Sequence, residues 1–120
     1  MGLTHVDVAL MQLSGENGRY ESRFLVDSGA TETMARASEL IGIGIPPEGK
    51  RIYELADGTR QEYSFGFARM ELLGAVTVGH VIFGPEGTEP LLGVTVLENL
   101  GFVIDPVTNS LKRLPAISLK

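Results

Sequence analysis

An acidic residue at the end of an apolar run is the feature of this chain best suited to chemistry. The apolar run 24–26 leads directly into Asp27, and Ser28 and Gly29 follow as a tight turn. A carboxylate at the end of a buried strand is costly unless neighbouring donors satisfy it. Gly29 has no Cβ, so backbone N–H groups can approach that carboxylate closely. The pattern indicates an acid with a chemical role; the structural alternative is a surface turn in which Asp27 only caps backbone amides.

Short strands and turns are expected to position this acid. The 120 residues suit a single domain spanning 1–120, and 15 glycines and six prolines favour short strands over long helices. Alternation and turn signals predict strands at residues 6–13, 19–27, 51–55, 60–67, 70–73, 76–83, 91–93, 102–104 and 110–113. Asn17 and Gly18 suit a turn with positive φ. Helices are predicted at 33–41, ended by Gly42, and at 94–100, ended by Gly101.

Two further motifs accompany the Asp27 turn. A second hairpin has its tip at Ala56, Asp57, Gly58 and Thr59, between the strands predicted at 51–55 and 60–67. Later in the chain, an apolar-Gly motif precedes the second predicted helix; its residues are Leu91, Leu92 and Gly93.

The order of these motifs resembles that of the retropepsin-like (retroviral-type) single-domain aspartic proteases, in their cellular and bacterial branch. The resemblance runs from Val6 to about Leu114 and implies a mainly β fold. That fold is a closed acid-protease β-barrel with one or two short helices. Ser28 replaces the Thr of retroviral members, and Thr31 stands where they often have a second Asp, so their ion pair is not expected here. Val94 and Thr95 replace an Arg and a polar residue.

The resemblance also implies a mechanism. The chain has a single Asp-Ser-Gly triplet, so a protease of this kind needs a two-fold axis that brings Asp27 of two subunits together. The two carboxyl groups then share one proton and activate a water molecule, without a metal or cofactor. The Ser28 hydroxyl would bond to the partner's backbone, and the Gly29 main chain would lie near the substrate.

Substrate contacts follow from the same resemblance. The hairpin with its tip at 56–59 would act as a flap that adds backbone hydrogen bonds to an extended peptide or protein substrate. Ala30, Thr31, Leu91 and Leu92 would give the cleft an apolar character.

The sequence thus predicts a homodimeric aspartic endopeptidase, a hydrolase of peptide bonds with Asp27 as its catalytic residue. One alternative is a catalytically weak or inactive dimeric peptide-binding module of the same fold. Another is a β-barrel that serves assembly alone, with Asp27 as a structural cap.

Composition argues against several other classes. The net charge of −5 and the lack of a basic run argue against nucleic-acid binding. No cysteine is present, and no apolar run reaches membrane-spanning length. The first residues lack the pattern of a signal peptide, so a cytoplasmic location is expected. His5 and His80 each stand alone in β-like sequence and are expected at the surface or a sheet edge. No Gly-x-Ser-x-Gly elbow surrounds Ser28.

Overall fold

Strands make up most of the regular structure. The computed structural model describes residues 4–16, 18–117 and 119, so the turn predicted at Asn17 lies outside the described residues. The strands are β1 (His5–Met11), β2 (Arg19–Val26), β3 (Thr33–Arg36), β4 (Gly49–Glu54), β5 (Arg60–Leu72), β6 (Ala75–Gly84), β7 (Leu91–Leu92), β8 (Phe102–Asp105) and β9 (Ser110–Arg113). The helices are α1 (Ala37–Gly42) and α2 (Val94–Leu100). Neither described helix has the length and apolar character needed to span a lipid bilayer.

Seven of these strands form one sheet that closes on itself. Their order is β1-β2-β7-β3-β6-β5-β4, and β1 also pairs with β5. Six strands therefore complete a ring, and β4 is attached to the outside edge of β5. Strands β8 and β9 form a separate hairpin. The prediction of a mainly β fold is confirmed, and the ring of strands is consistent with a retropepsin-like fold.

The inside of the ring is an apolar core. Its least exposed large apolar side chains come from five strands, from α1 and from the loop after α1; they are Leu10, Phe24, Leu40, Ile45, Met70, Val81 and Leu92. Val96 and Leu97 of α2 belong to the same cluster. Each fully buried side chain of this size contributes about 1.5–3 kcal/mol to folding. Since Phe24 and Val26 lead into Asp27 and Leu92 belongs to the apolar-Gly motif, the core anchors both motifs.

The first predicted helix was placed wrongly. Residues 33–36 form β3, which pairs in parallel with β6 and contacts β7, and only Ala37–Gly42 is helical. Pairing on both sides buries Thr33 and Ala35 and overrides the local helical pattern. Gly42 is the last helical residue and not the cap. The left-handed residue is Gly44, with φ of 82°, and its N–H donates to Ile41 O.

The strands and the helix predicted after residue 90 are confirmed to within one residue. Helix α2 covers Val94–Leu100, and Gly101 ends it in the left-handed conformation, with φ of 74°. The two runs predicted at 60–67 and 70–73 are a single thirteen-residue strand, β5. Residues 60–62 are exposed, and from Gly66 onward buried and half-buried residues alternate. The strand therefore belongs partly to an exposed hairpin and partly to the ring.

Candidate active site

Asp27 lies where two parallel strands end side by side. Strand β2 pairs in parallel with β7, with Leu25 opposite Leu91 and Val26 opposite Leu92. The Asp27 N–H then donates to the Leu92 carbonyl at 3.2 Å. Since Val26 and Leu92 are both buried, the core fixes the main chain that carries this acid.

The Asp27 carboxylate is half-buried and bonded within its own turn. The Gly29 N–H donates to Asp27 Oδ1 at 2.9 Å, and the Ala30 N–H donates to the Asp27 carbonyl at 3.0 Å. A Cβ on Gly29 would lie 3.3 Å from Oδ1, closer than most side-chain contacts. The expectation that Gly29 allows a close backbone approach is confirmed. Ser28 and Thr31 are exposed on the same turn.

The apolar-Gly motif is tied to the Asp27 turn. The Val94 N–H donates to the Ala30 carbonyl at 2.8 Å, and the Thr95 N–H donates to the Thr31 carbonyl at 3.3 Å. The Gly93 N–H donates to the buried Thr33 hydroxyl at 3.1 Å. Two motifs that are distant in sequence thus form one rigid unit.

A cleft of about 440 Å³ opens beside Asp27. Its floor comes from the Asp27 turn, β3, β6 and β7, and its opposite wall comes from the β4–β5 hairpin. The lining residues are Asp27, Gly29, Ala30, Thr31, Glu32, Met34, Tyr53, Glu54, Leu55, Ala56, Tyr63, Ile82 and Leu91. This cleft, with one acid on its floor, is the candidate active site.

The cleft includes several of the predicted site residues and leaves out others. Ala30, Thr31 and Leu91 line it, as expected. Leu92 does not, because it points into the core with 0% exposure; its predicted contribution to the cleft was wrong. Met34 is half-buried and also lines the cleft.

The tip of the β4–β5 hairpin meets the cleft through one of its four predicted residues. Ala56 lines the cleft, whereas Asp57, Gly58 and Thr59 lie beyond it. Thr59 donates to Asp57 Oδ1 twice, from its hydroxyl at 2.6 Å and from its N–H at 2.9 Å. These bonds, the hydroxyl one first, hold the pKa of Asp57 below its usual value. Gly58 has a φ of 86°, so the tip is an ordered turn that uses glycine.

Sequence reasoning missed a group of polar residues in the cleft. Tyr53 and Tyr63 face it from the hairpin, with ring centroids 6.2 Å apart. The alternation of side chains along β4 and β5 could have placed both rings on one face. Glu32 lines the cleft from the opposite side. The pKa of the Tyr53 phenol is raised above its usual value, mainly by burial. The Arg51 guanidinium lowers this pKa in part, and the Glu32 carboxylate raises it.

Within the part of the chain that the structure describes, the carboxylates of the cleft do not belong to a cluster of metal ligands. Across residues 4–16, 18–117 and 119, no three His, Asp or Glu side chains lie close enough together to hold a metal ion. The two histidines lie elsewhere. His5 contacts Glu89 at 3.0 Å, and His80 packs against the rings of Phe65 and Phe67.

Comparison with known proteins identifies a family for most of this chain. The model of the family described as gag-polyprotein putative aspartyl protease matches residues 15–99. This range includes the Asp27 turn, the β4–β5 hairpin and the apolar-Gly motif. The chain therefore belongs to this family, which is retropepsin-like. A comparison with curated proteins found no match.

Proposed function

We propose that this protein is an aspartic endopeptidase that acts as a homodimer, with Asp27 of each subunit forming the catalytic pair. The observation that carries the proposal is the Asp27 carboxylate on the floor of a cleft, held by the Gly29 N–H through Oδ1. Membership of an aspartyl protease family supports it. The single Asp-Ser-Gly triplet supports a second copy as the source of the other acid.

The chemistry follows from two carboxyl groups that share one proton. The ionised Asp27 takes a proton from a water molecule as that water attacks the scissile carbonyl carbon. The protonated Asp27 donates to the carbonyl oxygen, and the tetrahedral intermediate then collapses with a proton passing to the leaving amine. Only water is consumed.

The surroundings of Asp27 support the remaining roles. Ser28 is exposed on the turn, so its hydroxyl is available to the backbone of a second subunit. The β4–β5 hairpin faces Asp27 across the cleft and acts as the flap, where an extended substrate adds as a strand. The cleft favours apolar substrate side chains through Met34, Ile82 and Leu91.

The decisive experiment compares Asp27→Asn with wild type on a peptide library between acidic and neutral pH. Asn can still accept the Gly29 N–H bond, so folding and dimerisation are expected to persist while cleavage is lost. Asp105→Asn is a matched control, because its side chain accepts a similar turn bond from the Val107 N–H at 2.9 Å. Cleavage that survives Asp27→Asn would refute the proposal. A wild-type protein that binds peptides but never cleaves them would favour the peptide-binding module.

A further inference from the structure

The cleft contains one acidic side chain that the proposed mechanism does not use. Glu32 lines the cleft and is half-buried. The ion pairs among the described residues engage Glu21, Glu54, Glu71 and Glu89, and none engages Glu32. An acidic group that loses water without gaining a partner is destabilised. A substrate that covers Glu32 therefore binds better if it brings a positive charge.

The other charged groups around the cleft have different environments. Glu54 is two-thirds exposed and already has Arg60 at 3.8 Å. Arg51 lies with its guanidinium carbon 4.3 Å from the centre of the Phe65 ring and does not line the cleft. Asp27 is committed to the reaction. Glu32 is thus the half-buried carboxylate left for a substrate side chain.

The main chain holds Glu32 firmly in place. A Cβ on Gly93 would lie 2.5 Å from the Glu32 carbonyl carbon, so the two backbones are in close contact. On either side, Thr31 accepts from the Thr95 N–H and Thr33 accepts from the Gly93 N–H. A side chain on a rigid backbone discriminates better than one on a loose loop, because less ordering is needed on binding.

The space around Glu32 suits a long basic side chain. Glu32 lines the same cleft as Tyr53 of the opposite wall. Glu32 also lines a neighbouring cavity of about 240 Å³ with Thr95 and Asn99. The aliphatic stem of Lys or Arg can lie along apolar surface while its cationic head reaches a carboxylate, and Tyr53 offers an aromatic face.

We infer that Glu32 determines substrate specificity by selecting peptides with Lys or Arg in the part of the substrate that crosses it. This inference rests on the proposed function. Because each subunit of the proposed dimer contributes one Glu32, the selection occurs on both sides of the scissile bond, at positions related by the two-fold axis.

The test is a peptide library in which Lys, Arg, Gln or Glu occupies each position around the scissile bond in turn. Wild type is expected to favour Lys and Arg about tenfold in kcat/KM at a symmetrical pair of positions, the size expected of one charge-assisted contact. Glu32→Gln should lower that ratio towards one, and Glu32→Lys should turn it towards Glu. Glu98→Gln, the same change on the exposed face of α2, should keep the wild-type ratio.

A second measurement separates this inference from the proposed reaction. Binding of fluorescently labelled Lys-containing and Gln-containing peptides to Asp27→Asn, with and without Glu32→Gln, reports selection without cleavage. One outcome is that wild type shows no cleavage while Asp27→Asn still binds the Lys peptide more tightly, with a preference that Glu32→Gln removes. In that case the proposed reaction is refuted and the role of Glu32 in selection stands. Equal binding of both peptides, or a preference unchanged by Glu32→Gln, would overturn the role of Glu32.

Discussion

Gly93 and Glu32 touch through their main chains. A Cβ on Gly93 would lie 2.5 Å from the Glu32 carbonyl carbon and 2.7 Å from its oxygen. The apolar-Gly motif therefore needs glycine because of a close approach to the segment after Asp27. The φ of −81° at Gly93 is accessible to any residue, so steric space alone imposes this requirement.

We expect Gly93→Ala to destabilise the protein and distort the cleft. The methyl group must push two backbones apart, which costs about 1–3 kcal/mol or more. Urea denaturation measures the change. Gly42→Ala is the matched control, because a Cβ there would meet nothing within 4 Å and Gly42 is helical. It should be neutral or stabilising by up to about 1 kcal/mol. Similar losses of unfolding free energy in Gly93→Ala and Gly42→Ala would contradict the steric argument.

Thr33 gives a second test of the same unit. Thr33→Val keeps the shape but removes the hydroxyl that accepts the buried Gly93 N–H. The orphaned N–H should cost about 1–3 kcal/mol in the free energy of unfolding. Thr33→Ser keeps the oxygen and should preserve the hydrogen bond, losing only the methyl packing. If Thr33→Val lost no more unfolding free energy than Thr33→Ser, the hydrogen bond to the Gly93 N–H would contribute little to stability.

The hairpin tip predicts a specific pH response. Since the pKa of Asp57 is lowered in the folded protein, ionised Asp57 stabilises the tip above its unfolded pKa of about 3.8. This contribution is lost as the pH falls through the lower folded pKa. Thr59→Val removes the hydroxyl bond but keeps the N–H bond, so the pKa should rise towards 3.8. NMR titration measures it, and the Asp105 pKa, lowered mainly by the Val107 N–H, should not move.

The proposed dimer predicts that activity depends on concentration. Below the dissociation constant of the dimer, specific activity should rise with protein concentration, because one chain supplies one Asp27. Sedimentation across the same range gives the fraction of dimer. A covalent tandem of two copies is the control and should lose this dependence. Constant specific activity in a purely monomeric sample would exclude the shared pair.

The site was predictable where the signal is local. The Asp27 turn and the motif at 91–93 were recognised because each depends on neighbouring residues. The bonds that join them, from the Asp27 N–H to Leu92 and from the Val94 N–H to Ala30, connect distant segments. Only the order of the motifs indicated that they meet.

The errors have physical causes. Adjacent residues of a strand face opposite sides, so Leu91 enters the cleft while Leu92 enters the core; this rule was available from the sequence. Strand β3 was missed because a four-residue strand depends on its partners β6 and β7 more than on its own composition. Tyr53, Tyr63 and Glu32 carry no motif, and only the folded arrangement brings them together around Asp27.

The unbroken course of β5 limits how its outer hairpin can behave. Its register with β4 ends at Phe65 opposite Gly49, and further along it pairs with β1 to close the ring. No loop separates these two parts, so the hairpin cannot lift away as an independent lid. Movement of the hairpin therefore requires β5 itself to bend. The stiffness of β5 where it enters the buried ring sets how widely the cleft can open.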